Sequence, residues 1–156
     1  MKHKLSFLHN FFKACGITTL RCQRDFIKLA AGFCYMMKDA KRIVVIDDDP
    51  DHLLVSQLVL ERRGYDILPL NNCDDLIDRI RVFRPALIFM DHTMPGMTGI
   101  EATRLIKSEA DCQDIPVIYF TIRDDIDELA AEAGADDWLI KPFNLDDLVI
   151  KTKKFL

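Results

Sequence analysis

A chain of 156 residues, 49% apolar and 29% charged, has room for one ordinary folded domain and the balance of a globular protein. Its formal net charge of −4 argues against direct binding to nucleic acid, which needs a basic surface. No run of about 18 apolar residues occurs, so no membrane span is expected.

Charge divides the chain in two. Residues 1–40 carry seven Lys/Arg against Asp25 and Asp39, a net of +5, whereas residues 41–156 are net −9. The first segment is expected to be a basic extension, disordered or holding a short amphipathic helix on Phe26, Leu29, Ala30, Phe33 and Met37. Such a helix could meet a partner, a second copy of the chain or, less readily, a membrane surface. A competing reading makes residues before Met36 or Met37 an upstream leader. Met1–Leu8 is only faintly like a signal peptide, because His9, Asn10 and Lys13 interrupt it. The five cysteines, Cys15, Cys22, Cys34, Cys73 and Cys112, are odd in number and irregularly spaced, as expected of reduced thiols.

From Lys41 onward, short apolar runs alternate with helical patterns. Ile43–Ile46, Ala86–Met90, Pro116–Phe120 and Trp138–Ile140 are unbroken, as strands covered on both faces should be, and Tyr65–Leu68 is a weaker fifth. Asp49 and Pro50 are suited to start a helix that Gly64 ends. Leu76, Ile77, Ile80 and Phe83 share one helical face, and so do Ile126, Leu129, Ala130 and Ala133 before a stop at Gly134. Asn144 is a cap for the last helix, with Asp147 near its start and Lys151, Lys153 and Lys154 near its end. Five strands alternating with helices predict an open, doubly wound parallel α/β sheet with helices on both faces. A closed barrel would need about 250 residues.

Ligand sites in such sheets form at the carboxyl ends of strands. Asp47, Asp48 and Asp49 follow the first strand, Asp91 the third, Thr121 the fourth and Lys141 the fifth. Clustered carboxylates need a cation among them. Their hard oxygens favour Mg²⁺, and a carboxylate beside Mg²⁺ can act as a nucleophile and form an aspartyl phosphate. Lys141 would offset charge on phosphoryl oxygens and Thr121 could donate a hydrogen bond.

Four segments, Ile43–Pro50, Ala86–Gly99, Pro116–Thr121 and Gly134–Phe143, together resemble the response-regulator receiver domain of two-component signalling, over residues 41–156. The resemblance implies a flavodoxin-like strand order 2-1-3-4-5. It implies that Asp91 is the phosphoryl acceptor, that Asp48 contacts Mg²⁺ directly and Asp47 through water, and that the Thr93 carbonyl completes the metal shell. Thr121 and Trp138 match the switch positions and Lys141 the phosphate-binding lysine, set before a cis peptide to Pro142. The implied partners are a histidine kinase or histidine phosphotransfer protein and an unnamed downstream protein, with homodimerisation as a further option. A cytoplasmic location and no turnover activity follow. Only fifteen residues come after Lys141, so output is expected through protein contacts and not an output domain.

Two features depart from the family pattern. Ile122 stands where a small residue is usual and is expected to slow phosphoryl transfer or hydrolysis. The stretch from Thr121 to Lys141 is slightly short. His92 reads as a loop residue, since no His, Cys or carboxylate partner stands at ligand spacing. Asp124, Asp125, Asp127, Glu128 and Glu132 read as a solvated helix face. Two alternatives stay open: a phosphate-independent pseudo-receiver, and a phosphohydrolase of the haloacid-dehalogenase type built on Asp47-x-Asp49.

Overall fold

An apolar run with no alternation can only be a strand if both its sides are covered. The computed structural model describes residues 41–122 and 131–156. Its strands are β1 (Arg42–Ile46), β2 (Asp66–Leu70), β3 (Leu87–Asp91), β4 (Val117–Thr121) and β5 (Asp137–Ile140). Neighbours pair in parallel throughout, in the order β2-β1-β3-β4-β5. This is the doubly wound, flavodoxin-like arrangement expected from the motifs. β3 and β4 are buried at every position.

The weak fifth run becomes β2, but it extends through Pro69 to Leu70. Proline reads as a strand breaker because it lacks a donor. Here β2 is an edge strand, where proline is tolerated, and Pro69 is paired with Val45 and exposed.

The helices cover the two faces. α1 (Pro50–Glu61) and α4 (Leu145–Phe155) bring Leu53, Leu60 and Leu148 onto Ile43, Val45, Leu87, Phe89, Ile118 and Phe120. α2 (Leu76–Phe83) and α3 (Gly99–Ser108) bring Leu76, Ile80, Ala102 and Ile106 onto Val44, Ile46, Ile88, Met90, Val117 and Tyr119. Asp49 caps α1 as expected, with its side chain accepting from the Asp51 (2.9 Å) and His52 (3.4 Å) amides, and Gly64 follows with φ +86°. At the start of α4 the Asn144 amide donates to Asp147 at 3.3 Å. α3 begins with a reciprocal pair that the sequence reading did not use: Thr98 Oγ1 accepts from the Glu101 amide and the Thr98 amide donates to Glu101. Of the predicted helix ending at Ala133, residues 131–133 form a helical turn before Gly134, at φ +83°, and the rest lies outside the described residues. So does the predicted extension, residues 1–40. Among the described residues Cys73 and Cys112 are free thiols, and no helix is long and apolar enough to cross a membrane.

All strand carboxyl ends share one edge. The order reverses between β1 and β3, which opens a crevice there. Gly99, the first residue of α3, sits tight under this crevice. A Cβ on it would collide with the Asp91 carbonyl oxygen and lie 3.0 Å from His92 Cα. Both obstacles are backbone and cannot swing away. We expect Gly99→Ala to cost about 1–3 kcal/mol in urea unfolding, and an unchanged midpoint would show that the β3–α3 turn yields.

Candidate functional site

Asp47 and Asp91 end or follow adjacent strands, and β1 and β3 place them side by side at the crevice. Both are buried, at 1% and 6% exposure, whereas Asp48 is exposed. Burying a carboxylate is costly without partners. Asp47 Oδ1 accepts from the Asp49 amide at 3.0 Å, and Asp91 Oδ2 from the Thr93 amide at 2.8 Å. The remaining oxygens meet one ammonium: Lys141 Nζ lies 2.7 Å from Asp47 Oδ2 and 2.5 Å from Asp91 Oδ1.

Lys141 is delivered by β5. Its amide donates to the Thr121 carbonyl, its ammonium lies 5.7 Å from the Phe120 ring centre, and its peptide bond to Pro142 is cis. Phe120 in turn stacks on Phe89 at 5.1 Å and meets Phe143 at 5.0 Å, so the lysine rests on a packed aromatic floor. Burial pulls the ammonium toward its neutral form, but the hydrogen bonds to Asp47 and Asp91 outweigh it and hold the lysine above its usual range.

Asp47, Asp48 and Asp91 each offer a carboxylate oxygen, and these atoms all lie within 4.8 Å of one another. Three hard oxygen donors at this separation suit a small divalent cation. Thr121 is buried at 2% exposure and lines the same cleft of about 220 Å³, together with Thr93 and Ile122. Ile122 is 75% exposed, standing at the cleft's rim. Trp138 is half-buried on β5, opposite Tyr119, with Lys151 Nζ 6.0 Å from its ring centre.

Asp49 spends its carboxylate on the first turn of α1, and its pKa is lowered mainly by the Asp51 amide. That leaves little support for a phosphohydrolase using Asp47 and Asp49 as a pair. Two site residues escaped the sequence reading. His52 Nδ1 lies 3.6 Å from both Asp47 and Asp49, and only its place one turn into α1, three residues after the cap, hints at it. His92 was read as a loop residue, yet it lines the cleft and its Nδ1 is buried with no hydrogen-bond partner.

Without Lys141 the two buried carboxylates would face each other unscreened. We expect Lys141→Ala to destabilise the metal-free chain at neutral pH by on the order of 3 kcal/mol. Since the folded lysine sits above its ordinary value, this contribution is fully present below that value and fades as pH rises through the raised one. Added Mg²⁺ should raise the melting temperature of Lys141→Ala more than that of the parent chain. Equal shifts would mean that the cation does not replace the ammonium.

Comparison with known proteins agrees with the geometry. The model of the response regulator receiver domain matches residues 43–153. The DNA-binding response regulator MtrA of Mycolicibacterium smegmatis is 31% identical over 115 residues, which is 72% of this chain and 49% of MtrA. This chain thus spans about half the length of that relative. Protein PilH of Pseudomonas aeruginosa is 34% identical over 113 residues, 71% of this chain and 93% of PilH. Among solved structures, the receiver domain of the sensor histidine kinase PA1611 from Pseudomonas aeruginosa, with a magnesium ion coordinated in its active-site cleft, matches with a TM-score of 0.68. It is 24% identical and covers 74% of this chain and 97% of its own, a likeness of fold. A sheet wound in this order, an acidic crevice closed by a strand-borne lysine, and a family match over most of the chain lead to one assignment: the chain belongs to the response-regulator receiver domain family of two-component signalling.

Proposed function

We propose that this chain is a phosphorylation-dependent switch in which Asp91 takes a phosphoryl group from the phosphohistidine of a histidine kinase or histidine phosphotransfer protein. Receiver domains are signalling modules and generally not turnover enzymes, and the proposed chemistry is one transfer followed by hydrolysis. The observation that carries the reading is the Lys141 bridge between Asp47 and Asp91, with the Asp48 carboxylate beside it.

Asp91 Oδ1 is the attacking oxygen. A new O–P bond forms as the P–N bond breaks, and the released imidazole nitrogen takes a proton. Lys141 then turns from the carboxylate to a phosphoryl oxygen, and Thr121 donates to another. Thr93 holds Oδ2 throughout and so fixes which oxygen reacts. The donor set fits Mg²⁺, with the Asp48 and Asp91 carboxylates and the Thr93 carbonyl as direct ligands. Asp47, the third acid of the cluster, would act through water. When bound, Mg²⁺ offsets negative charge on the phosphoryl oxygens.

The donor protein needs a place to rest. An apolar groove of about 360 Å³ runs from the site between α1 and the start of α4, lined by Val55, Ile122, Pro142, Phe143 and Leu145, with Lys141 at its rim. It suits an apolar helix face carrying the phosphohistidine. On this reading the transfer takes place in the cytoplasm, where such donors are charged.

Acetyl phosphate with Mg²⁺ should add the mass of one phosphoryl group to the chain, and Asp91→Asn should abolish the addition. Labelling that survives this substitution would overturn the assignment. Val55→Asp should slow transfer from a phosphorylated donor protein by about tenfold, leaving acetyl phosphate labelling unchanged. An equal loss with both donors would remove the groove from the account. Ile122→Ala should speed phosphorylation or dephosphorylation, and unchanged rates for both steps would mean that its bulk does not restrict the cleft.

A further inference from the structure

The carboxyl ends of the strands form the crevice, and their amino ends form a second edge, roughly 16 Å away along five-residue strands. β1, β2 and β3 begin there side by side. The Asp66 amide donates to the Lys41 carbonyl at 3.1 Å and the Ala86 amide to the Arg42 carbonyl at 2.8 Å. The helices run back from the crevice, so α1 and α2 end at this same edge, in residues 62–64 and at Arg84.

This second edge is basic. Lys41, Arg62, Arg63 and Arg84 are exposed and Arg42 is half-buried. None of the five has an ion-pair partner among the described residues, whereas Arg81 is engaged by Glu109 and Asp111. The Arg42 guanidinium lies 5.9 Å from the Phe83 ring centre, which turns it toward the end of α2. The acids at this edge are Glu61, which accepts from Gln57 one turn back, and the half-buried Asp66. Arg62 and Arg63 also line a cleft with Asp146 and Asp147, without pairing to them.

Two details show that more than solvation is at stake. Arg84 ends α2 with φ +53°, in the left-handed region that Gly64 occupies near the end of α1. Glycine adopts that region at no steric cost, so an arginine there accepts strain and gains a cation. Val82, in the last turn of α2, is 84% exposed, the most of any large apolar residue among those described. Lys41 is also where the first forty residues join the described fold. They carry seven Lys/Arg and five of the chain's ten phenylalanines, Phe7, Phe11, Phe12, Phe26 and Phe33.

A basic patch attracts any polyanion, and its apolar neighbour separates the candidates. Val82 gains nothing from nucleic-acid phosphates, but it can enter the boundary between lipid headgroups and acyl chains. Residues 41–156 are net −9. Charge is screened over about 8 Å at physiological salt, however, about half the distance to the crevice. The edge therefore meets an anionic surface with its own charge, and the acidic crevice is turned away from it.

We propose that the edge formed by Lys41, Arg42, Arg62, Arg63 and Arg84 docks on an anionic phospholipid surface, with Val82 entering the headgroup layer. The crevice then faces away from the lipid, open to a donor protein. One such patch gives only weak, reversible binding, and the basic, phenylalanine-bearing sequence joined at Lys41 supplies the second signal that firm attachment needs. The inference does not depend on phosphorylation.

The full chain is sedimented with vesicles of phosphatidylcholine, and with vesicles that also contain phosphatidylglycerol. It should bind the second kind alone, and added salt should weaken the binding. Arg63→Gln combined with Arg84→Gly should weaken it roughly tenfold. Arg84→Gly by itself should weaken it less and leave the urea midpoint no lower, since glycine suits that backbone. Val82→Asp should also weaken it, whereas Arg104→Gln, which removes a cation elsewhere, should not. Parent-like binding by the Arg63/Arg84 double variant would assign any attachment to residues 1–40 and overturn the proposal. Equal binding to both vesicles, or binding to a short DNA duplex or polyglutamate but to neither vesicle, would overturn it as well.

Discussion

One ammonium held between two buried carboxylates sets the terms for the rest of the site. Lys141 touches Asp47 and Asp91 at 2.7 and 2.5 Å in a crevice where both acids are nearly closed to solvent. In such surroundings a charge interaction is stronger than in water, and a missing partner is correspondingly expensive. The formal balance is also incomplete, because Asp48 adds a third carboxylate within 4.8 Å of the others. Three acids against one lysine leave an excess of negative charge at the crevice. On the proposed reading a divalent cation would correct that excess, and the same cation and lysine would then favour an incoming phosphoryl group. On that reading, metal affinity and phosphoryl affinity would both follow from one charge imbalance.

This imbalance exists only because of topology. Positions 47, 91, 121 and 141 are distant in sequence, and a parallel sheet is what gathers strand ends onto one edge. The edge must then be rigid enough to hold like charges together. Phe89, Phe120 and Phe143 supply a packed floor beneath Lys141, and Gly99 lets α3 begin directly against the Asp91 backbone. The site's geometry is thus fixed by residues that take no part in its chemistry.

The sequence showed most of this for a physical reason. Strands buried on two sides cannot alternate, so they appear as unbroken apolar runs, and a polar residue at the end of each stands out. Asp47, Asp91, Thr121 and Lys141 were visible in that way, and helix starts at Asp49 and Asn144 were visible as caps. What stayed hidden depends on neighbours in space. Pro69 looks like a break until β2 is known to be an edge strand. Gly99 has no local signature, because its constraint is the approach of another segment's backbone. Thr98 and Glu101 carried a readable capping pattern that went unused. His92 was open to the alternation rule: one residue past Asp91, it had to face the opposite side of the sheet.

That alternation separates chemistry from readout. Asp91 and Phe120 pair across β3 and β4, while Met90, Tyr119 and Trp138 form a row running to the sheet edge on the opposite face. By the same count Thr121 belongs with Tyr119, two residues earlier, yet it also lines the cleft that holds Asp91. A side chain at the very end of a strand can serve both faces, because the sheet no longer stands between them. Charge placed on Asp91 therefore needs no path through the packed core, whose close-packed interior resists small displacements. It can pass over the rim, where Thr121 and His92 stand beside the site and the half-buried Trp138 stands beside α4. The edge that concentrates the carboxylates thus brings side chains from both faces of the sheet to one cleft.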